Sequence, residues 1–360
     1  MSEVVIENGQ EFVELDEGRF GLGLQLPPVR TMIYPSLATF TPVLSMDEIR
    51  RIIESSDFEF GTKWFGEDWN TNQNGYGSCA AYAASSALAK ARYLGGQERV
   101  DLSGDYLYSL VNGGRDSGSM LDENMRAIMS KGVCKRETVP LGGIYRRKYD
   151  TAKADREALR FRAHEAYACP DEQSVATALA MRMPVVIAIH VGRNWSRQDG
   201  DFLIGDSGPG NHSENLDDIR YNKRAGRFEF REQSSHKRPC LWVSWDKHLK
   251  QPSRYHQFYA VPSAIQDPHG DKPFAESQGD EDTPVAAPKL TITTSAGCVW
   301  CTRWKQTEQP KVEEAGYELH EGSIPGSGVP RFLLEVGDRE LIKVGFWSFD
   351  DIERAVANLR

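Results

Sequence analysis

The sequence predicts an α+β fold, helix-rich first and strand-rich second, followed by a small α/β unit. Three observations predict it. Residues 79–94, CAAYAASSALAKARYL, form a helical segment that is apolar on most faces, which places this helix in a core. From Pro184 onward the helical periodicity gives way to β-type runs such as PVVIAIHV, CLWVSW and YHQFYAV. After an acidic, Pro- and Gly-rich stretch at 266–288, strand, helix and strand patterns begin again over 289–360.

Taken in order, residues 1–54 hold short β-like pieces and the proline punctuation LPPVRTMIYP, which predicts an irregular arm or a partner strand. Within it SMDEIRRIIESS predicts a short helix capped by Ser45, with acids in its first turn. The 79–94 helix closes at Gly95-Gly96. DLSGDYLYSLVNGG and SMLDENMRAIMSKGV predict two further helices, the second stopping at Gly132, and EQSVATALAMR predicts another. YNKRAGRFEF reads as two strands joined by a turn at Gly226. In the last unit KLTITTSAG, RFLLEVG and ELIKVGF read as strands. CVWCTRWKQTEQPKVEEAG reads as helix interrupted by proline, and FDDIERAVANLR as an amphipathic helix. The resulting division is an arm at 1–54, a main domain at 55–265, a linker at 266–288 and a small domain at 289–360.

With 43 Lys and Arg against 52 Asp and Glu, the net charge of −9 argues against a nucleic-acid surface. No apolar run approaches eighteen residues, so no membrane span is expected. The segment MSEVVIENGQEFVELDEG lacks the order of a signal peptide, which predicts a cytoplasmic protein. Six cysteines spread over 360 residues, without that signal, are expected as thiols rather than a disulfide framework.

The stretch NQNGYGSCAAYA, residues 72–83, puts Cys79 at the first turn of the buried helix, after Ser78. A helix N-terminus stabilises a thiolate, and an imidazolium beside it completes the activation. Gln73 and the Cys79 N–H are placed to hold a developing oxyanion. A small buried thiol that merely packs is the competing account.

The Gln73-to-Cys79 spacing resembles the active-site segment of papain-like cysteine proteases, with Tyr76 and Ala80 departing from the usual residues. The segments at 102–133, 183–191 and 256–261 resemble that family's cleft helices, the strand before its histidine and its closing strand. The resemblance covers residues 55–262 and implies a two-lobed fold with a helical lobe and an antiparallel β lobe. It also implies that His212, in GPGNHSENLDDI, is the base, with His236 in QSSHKR as the weaker candidate. The family's orienting Asn is absent. Gln233 is the nearest replacement, Ser234 the alternative, and Asp217 and Asp218 less natural ones. Compact versions of this kind would suit a bacterium, or a bacteriophage with packaging into the virion.

SAGCVWCTRW places Cys298 and Cys301 two residues apart, after a strand and at a helix start. That position exposes the first thiol and lets the second resolve a mixed disulfide. No second ligand pair follows at zinc spacing, so no metal is expected. The unit resembles thioredoxin- or glutaredoxin-like proteins, which implies that Val329-Pro330 is their cis-proline.

The expected function is a cysteine peptidase acting on protein or peptide substrates, fused to a dithiol–disulfide domain. Its redox partner would be a disulfide-bearing substrate or a cellular dithiol reductant, and no cofactor is expected. The alternative is an inactive papain-like scaffold whose chemistry is confined to Cys298 and Cys301.

Overall fold

The computed structural model describes residues 3–7, 10–15, 18–26, 34–56, 58–192, 195, 197–205, 208, 210–251, 257–264, 288–294, 298–324, 330–337, 339–345, 347–349, 352–353 and 355–356. The linker expected at 266–288, apart from Pro288, lies outside them, as does Val329.

The arm is more regular than its sequence predicts. β1 (Glu3–Glu7), β2 (Gln10–Leu15) and β3 (Gly18–Leu22) form an antiparallel three-stranded sheet. Each piece is too short to stand alone, and the three satisfy one another's backbone. One face buries Val13, Phe20 and Leu22. The chain then runs through β4 (Leu24–Gln25), which pairs in parallel with β5 (Ser119–Met120).

α1 (Leu37–Phe40) and α2 (Met46–Ile53) follow, the latter starting with a Ser45–Glu48 capping box as its sequence predicts. In α3 (Cys79–Leu94) every residue except Tyr93 is buried, and Gly95 caps it. α4 (Gly104–Val111) and α5 (Leu121–Ser130) pack on α3. Gly132, just after α5, is required by two observations. Its φ is +76°, and a Cβ there would lie 1.9 Å from the Ala158 carbonyl oxygen. Ala158 ends α6 (Thr151–Ala158), a helix capped by Asp150.

β6 (Tyr167–Ala168) and α7 (Glu172–Ala180) lead into β7 (Val185–Ile189), where every residue is buried. Next come β8 (Arg197–Asp199), β9 (Phe202–Ile204), β10 (His212–Asn222), β11 (Arg227–Gln233), β12 (Leu241–Val243) and β13 (Phe258–Ala260). They form an eight-stranded sheet of order β6-β13-β7-β10-β11-β12-β9-β8, antiparallel except between β12 and β9. Gly226, at φ +65°, turns β10 into β11. The central helix α3 lies against β10, bringing the helical layer to the sheet.

The last unit holds β14 (Lys289–Thr293), α8 (Val299–Thr307), α9 (Gln309–Glu314), β15 (Glu318–Glu321), β16 (Arg331–Val336) and β17 (Arg339–Val344). Its sheet order is β15-β14-β16-β17, with β14 and β15 parallel and the other neighbours antiparallel. Proline is tolerated in a first helical turn but not in an interior, so Pro310 opens α9 instead of extending α8. This unit rests on the main domain through the buried Lys343, whose ammonium pairs with Glu165 and lies 3.7 Å over the Phe40 ring. No helix among the described residues is long and apolar enough to cross a membrane.

Candidate active site

Cys79 starts α3 and His212 starts β10, and the two side chains meet. Burial alone would push the Cys79 thiol up. The His212 charge and hydrogen bond, together with the backbone N–H groups of Gly23 and Ser213, outweigh burial and hold the thiol below its ordinary range. Two other buried thiols lack this environment. Burial raises Cys134 far above the usual value and pushes Cys169 up to about 12. Cys79 is the buried thiol tuned toward the thiolate.

The second nitrogen of His212 has a different partner from the one its sequence predicts. Nε2 lies 3.2 Å from Oε1 of Glu214, two residues along the same strand and fully buried. Alternate residues of a strand share a face, so HSE in the sequence carries this pairing. Glu232 joins from β11, where burial and the neighbouring Glu214 raise its pKa well above the ordinary value despite the opposing charge of Arg238. Glu232 is therefore shifted toward its protonated form. Arg238 contacts Glu232 and lies 3.7 Å from Glu214.

His236 stacks on His212, with ring centroids 4.3 Å apart and planes inclined by 28°. Trp195 presents an edge to both rings, and Arg238 lies 3.8 Å over Trp195. Burial, the His212 charge and Arg238 together hold the His236 pKa well below its usual value. His236 is thus shifted toward its neutral form. His212, Glu214 and His236 also bring one ligand atom each within 4.8 Å of one another. An imidazole lone pair lies in the plane of its ring, so two stacked rings cannot both aim at one ion. With Arg238 adjacent as well, the geometry of the cluster does not suit a metal.

The structure does not bring Gln233 to His212. Gln233 is paired with Asn215 in the sheet, and its Oε1 accepts from Ser86 Oγ at 2.7 Å and Asn215 Nδ2 at 3.1 Å. The reason is strand parity: the residue before it, Glu232, pairs with Leu216 and so shares the face that carries His212 and Glu214, while Gln233 takes the other. Ser234 accepts from the His236 N–H, Asp217 pairs with Lys90, and Asp218 accepts from Thr62. None of these serves His212. Glu214 was legible as the i+2 neighbour of His212, whereas Trp195 and Arg238 come from separate loops and carry no sequence signal.

Gln73 is fully buried. Its Oε1 accepts from Ser235 Oγ at 2.5 Å, and its Nε2 donates to the Gly21 carbonyl oxygen at 2.8 Å and to that of Tyr76 at 2.7 Å. The arm thus crosses the site. Phe20 packs on His236 at 4.6 Å, Gly21 meets Gln73, and Gly23 meets Cys79. A cavity of about 790 Å³ opens beside this crossing, between the arm and a wall that includes Ser117, His190 and Asn211.

In the small unit a disulfide joins Cys298 and Cys301. Cys298 caps α8 and accepts the Cys301 N–H at 3.1 Å, while Cys301 is buried. Pro330 is buried just before β16, and its carbonyl accepts from the Gly345 N–H. The next residue, Arg331, pairs with Thr293 at the end of β14, shortly before Cys298.

No protein-family model matches the chain, and no curated protein does. Solved structures similar to it include xylellain, a cysteine protease from Xylella fastidiosa, at 17% identity, 67% of this chain, 95% of that one and TM-score 0.48. Another is the bromelain protease from Ananas comosus, at 17% identity, 53% of this chain, 91% of that one and TM-score 0.44. A third holds the cysteine protease and lectin-like domains of Cwp84, a surface layer associated protein of Clostridium difficile. It stands at 16% identity and TM-score 0.46, covering 55% of this chain and 49% of that one.

Proposed function

We propose that the main domain is a papain-like cysteine peptidase built on Cys79, His212 and Glu214. The observation that carries this reading is the contrast among buried thiols: Cys79 is lowered by His212, while Cys134 and Cys169 are raised. The Cys79 thiolate attacks the scissile carbonyl carbon, and the proton on His212 passes to the leaving amine. Water then adds to the thioester, with His212 taking its proton, and the acid leaves as the thiolate returns. Glu214 holds the imidazole through Nε2, leaving Nδ1 for the thiol. Gln73 Nε2 and the Cys79 N–H receive the oxyanion, and the Gly21 carbonyl already within reach of Gln73 supports that role.

The test is alkylation resolved by residue, in the full chain carrying Phe20→Ala to loosen the arm. At pH 6 Cys79 is expected to react at least about 10-fold faster than Cys134 and Cys169. His212→Ala should bring it down to their rate. Equal rates before that change would remove the reading.

For the small unit we propose dithiol–disulfide exchange. Cys298 is partly exposed at the start of a helix and Cys301 is buried beneath it, an order that suits attack by the first and resolution by the second. The reduced Cys298 thiolate attacks a substrate disulfide and expels one substrate thiolate. Cys301 then displaces the second, leaving Cys298–Cys301 oxidised until an external dithiol reduces it. Cys298→Ser is expected to abolish reduction of insulin disulfides. Retained activity would locate that chemistry elsewhere.

A further inference from the structure

The arm residues that cross the cleft read FGLGL, and their glycines are not explained by backbone conformation. Neither Gly21 nor Gly23 is among the residues of positive φ, so any residue could adopt their dihedrals. What excludes a side chain is space. A Cβ on Gly21 would lie 2.6 Å from the Tyr76 carbonyl group, and one on Gly23 would lie 1.9 Å from the Gly77 carbonyl oxygen. On the opposite lip, a Cβ on Gly118 would lie 2.3 Å from the Gly23 carbonyl oxygen. These obstacles are backbone atoms, which no rotamer change relieves.

Both lips are fixed to one pair, the buried Tyr108 and the half-buried Asp116. The Gly77 N–H donates to Asp116 Oδ1 at 2.9 Å, and Tyr108 Oη donates to the same oxygen at 2.9 Å. The Gly118 N–H donates to Tyr108 Oη at 2.7 Å, and Tyr108 is fully buried. Widening the cleft would break this set. Three of the bonds that hold the crossing chain read its backbone: Gln73 to the Gly21 carbonyl, Ser119 N–H to the Gly23 carbonyl at 2.9 Å, and Leu24 N–H to the Asn211 carbonyl at 3.3 Å, while the Gln25 side chain adds a bond to the Ser117 carbonyl at 2.5 Å. Leu22 and Leu24 are buried between and beyond the glycines, with Leu24 close to Gly210.

We propose that the Cys79 cleft selects extended peptides with glycine at two positions one residue apart over the nucleophile, each glycine followed by an apolar residue. This rests on the peptidase reading and names its substrate class. The geometry that seats the arm is the geometry a substrate meets, because the walls and the hydrogen-bonding groups belong to the main domain.

The test uses the full chain with Gly23→Val, whose own arm cannot seat, and with Phe20→Ala as a second release that adds no bulk. Cys79 alkylation by iodoacetamide is followed with two competing peptides, residues 19–25 as they stand and the same peptide with alanine at both glycines. Both variants should alkylate faster than the parent chain. The glycine peptide should protect at concentrations about 100-fold lower than the alanine peptide, the loss expected when a chain cannot reach its bonded position. Fragments from a random peptide library should carry paired glycines at the cut. Equal protection by the two peptides, or cuts without glycine, would overturn the proposal. Selective protection with no cleavage of any library peptide would instead remove the peptidase reading and leave the glycine selectivity standing.

Discussion

Glu214→Gln is expected to lower kcat/KM for peptide hydrolysis by about 100- to 10,000-fold, with the loss in kcat and KM little changed. Glutamine fills the same buried space but removes the charge that favours imidazolium on His212. The pH profile of Cys79 alkylation should therefore move to higher pH, a readout that a purely structural defect would leave in place. The fold should tolerate the change, since Glu214 is one of the groups that raise the Glu232 pKa. With Glu214 neutral, Glu232 ionises more readily and keeps Arg238 paired. Glu232→Gln, which leaves the Glu214 carboxylate beside His212 in place, is expected to cost less than about 10-fold in the same assay. Gln233→Ala should leave the alkylation profile where it is. An effect of Gln233 larger than that of Glu214 would reverse the assignment.

These carboxylates show which parts of the candidate site the sequence carries and which it does not. Cys79 was legible because a helix start after Ser78, with Gln73 upstream, is a local feature of the chain. His212 was legible because it opens a strand after a Gly-rich loop. What orients His212 depends on which face of β10 and β11 each residue takes. A reading that runs along β11 cannot fix that parity, and Gln233 and Glu232 differ only by it. Loops decide the rest, since Trp195 and Arg238 stack on each other from distant segments. The arm failed for a third reason. Its glycines answer to Tyr76 and Gly77, and a contact across more than fifty positions leaves no periodicity to detect.

Lys90→Met is expected to destabilise the protein by about 3–5 kcal/mol, measured by urea unfolding, the usual result of removing one member of a buried ion pair, since the Arg231 contact at 3.3 Å compensates Asp217 only in part. Lys90 and Asp217 are both fully buried and paired, one on α3 and the other on β10. Lys90 also donates to Asn215 Oδ1 at 2.8 Å, and Arg231 reaches Asp217 at 3.3 Å. Burial opposes the charged form of Lys90 and lowers its pKa, with Asp217 acting against that shift. The pair is therefore a poor source of net stability, and the double variant Lys90→Met/Asp217→Leu should recover most of what the single one loses. Its effect on turnover should differ. α3 carries Cys79 at its start and β10 carries His212 at its start, so the ion pair fixes the register between the two elements that present thiol and imidazole. The double variant should be nearly as stable as the parent chain and slower in Cys79 alkylation, because apolar packing allows the helix to slide where a directional pair does not. Full reactivity in a stable double variant would show that the sheet and helix hold that register without the charges.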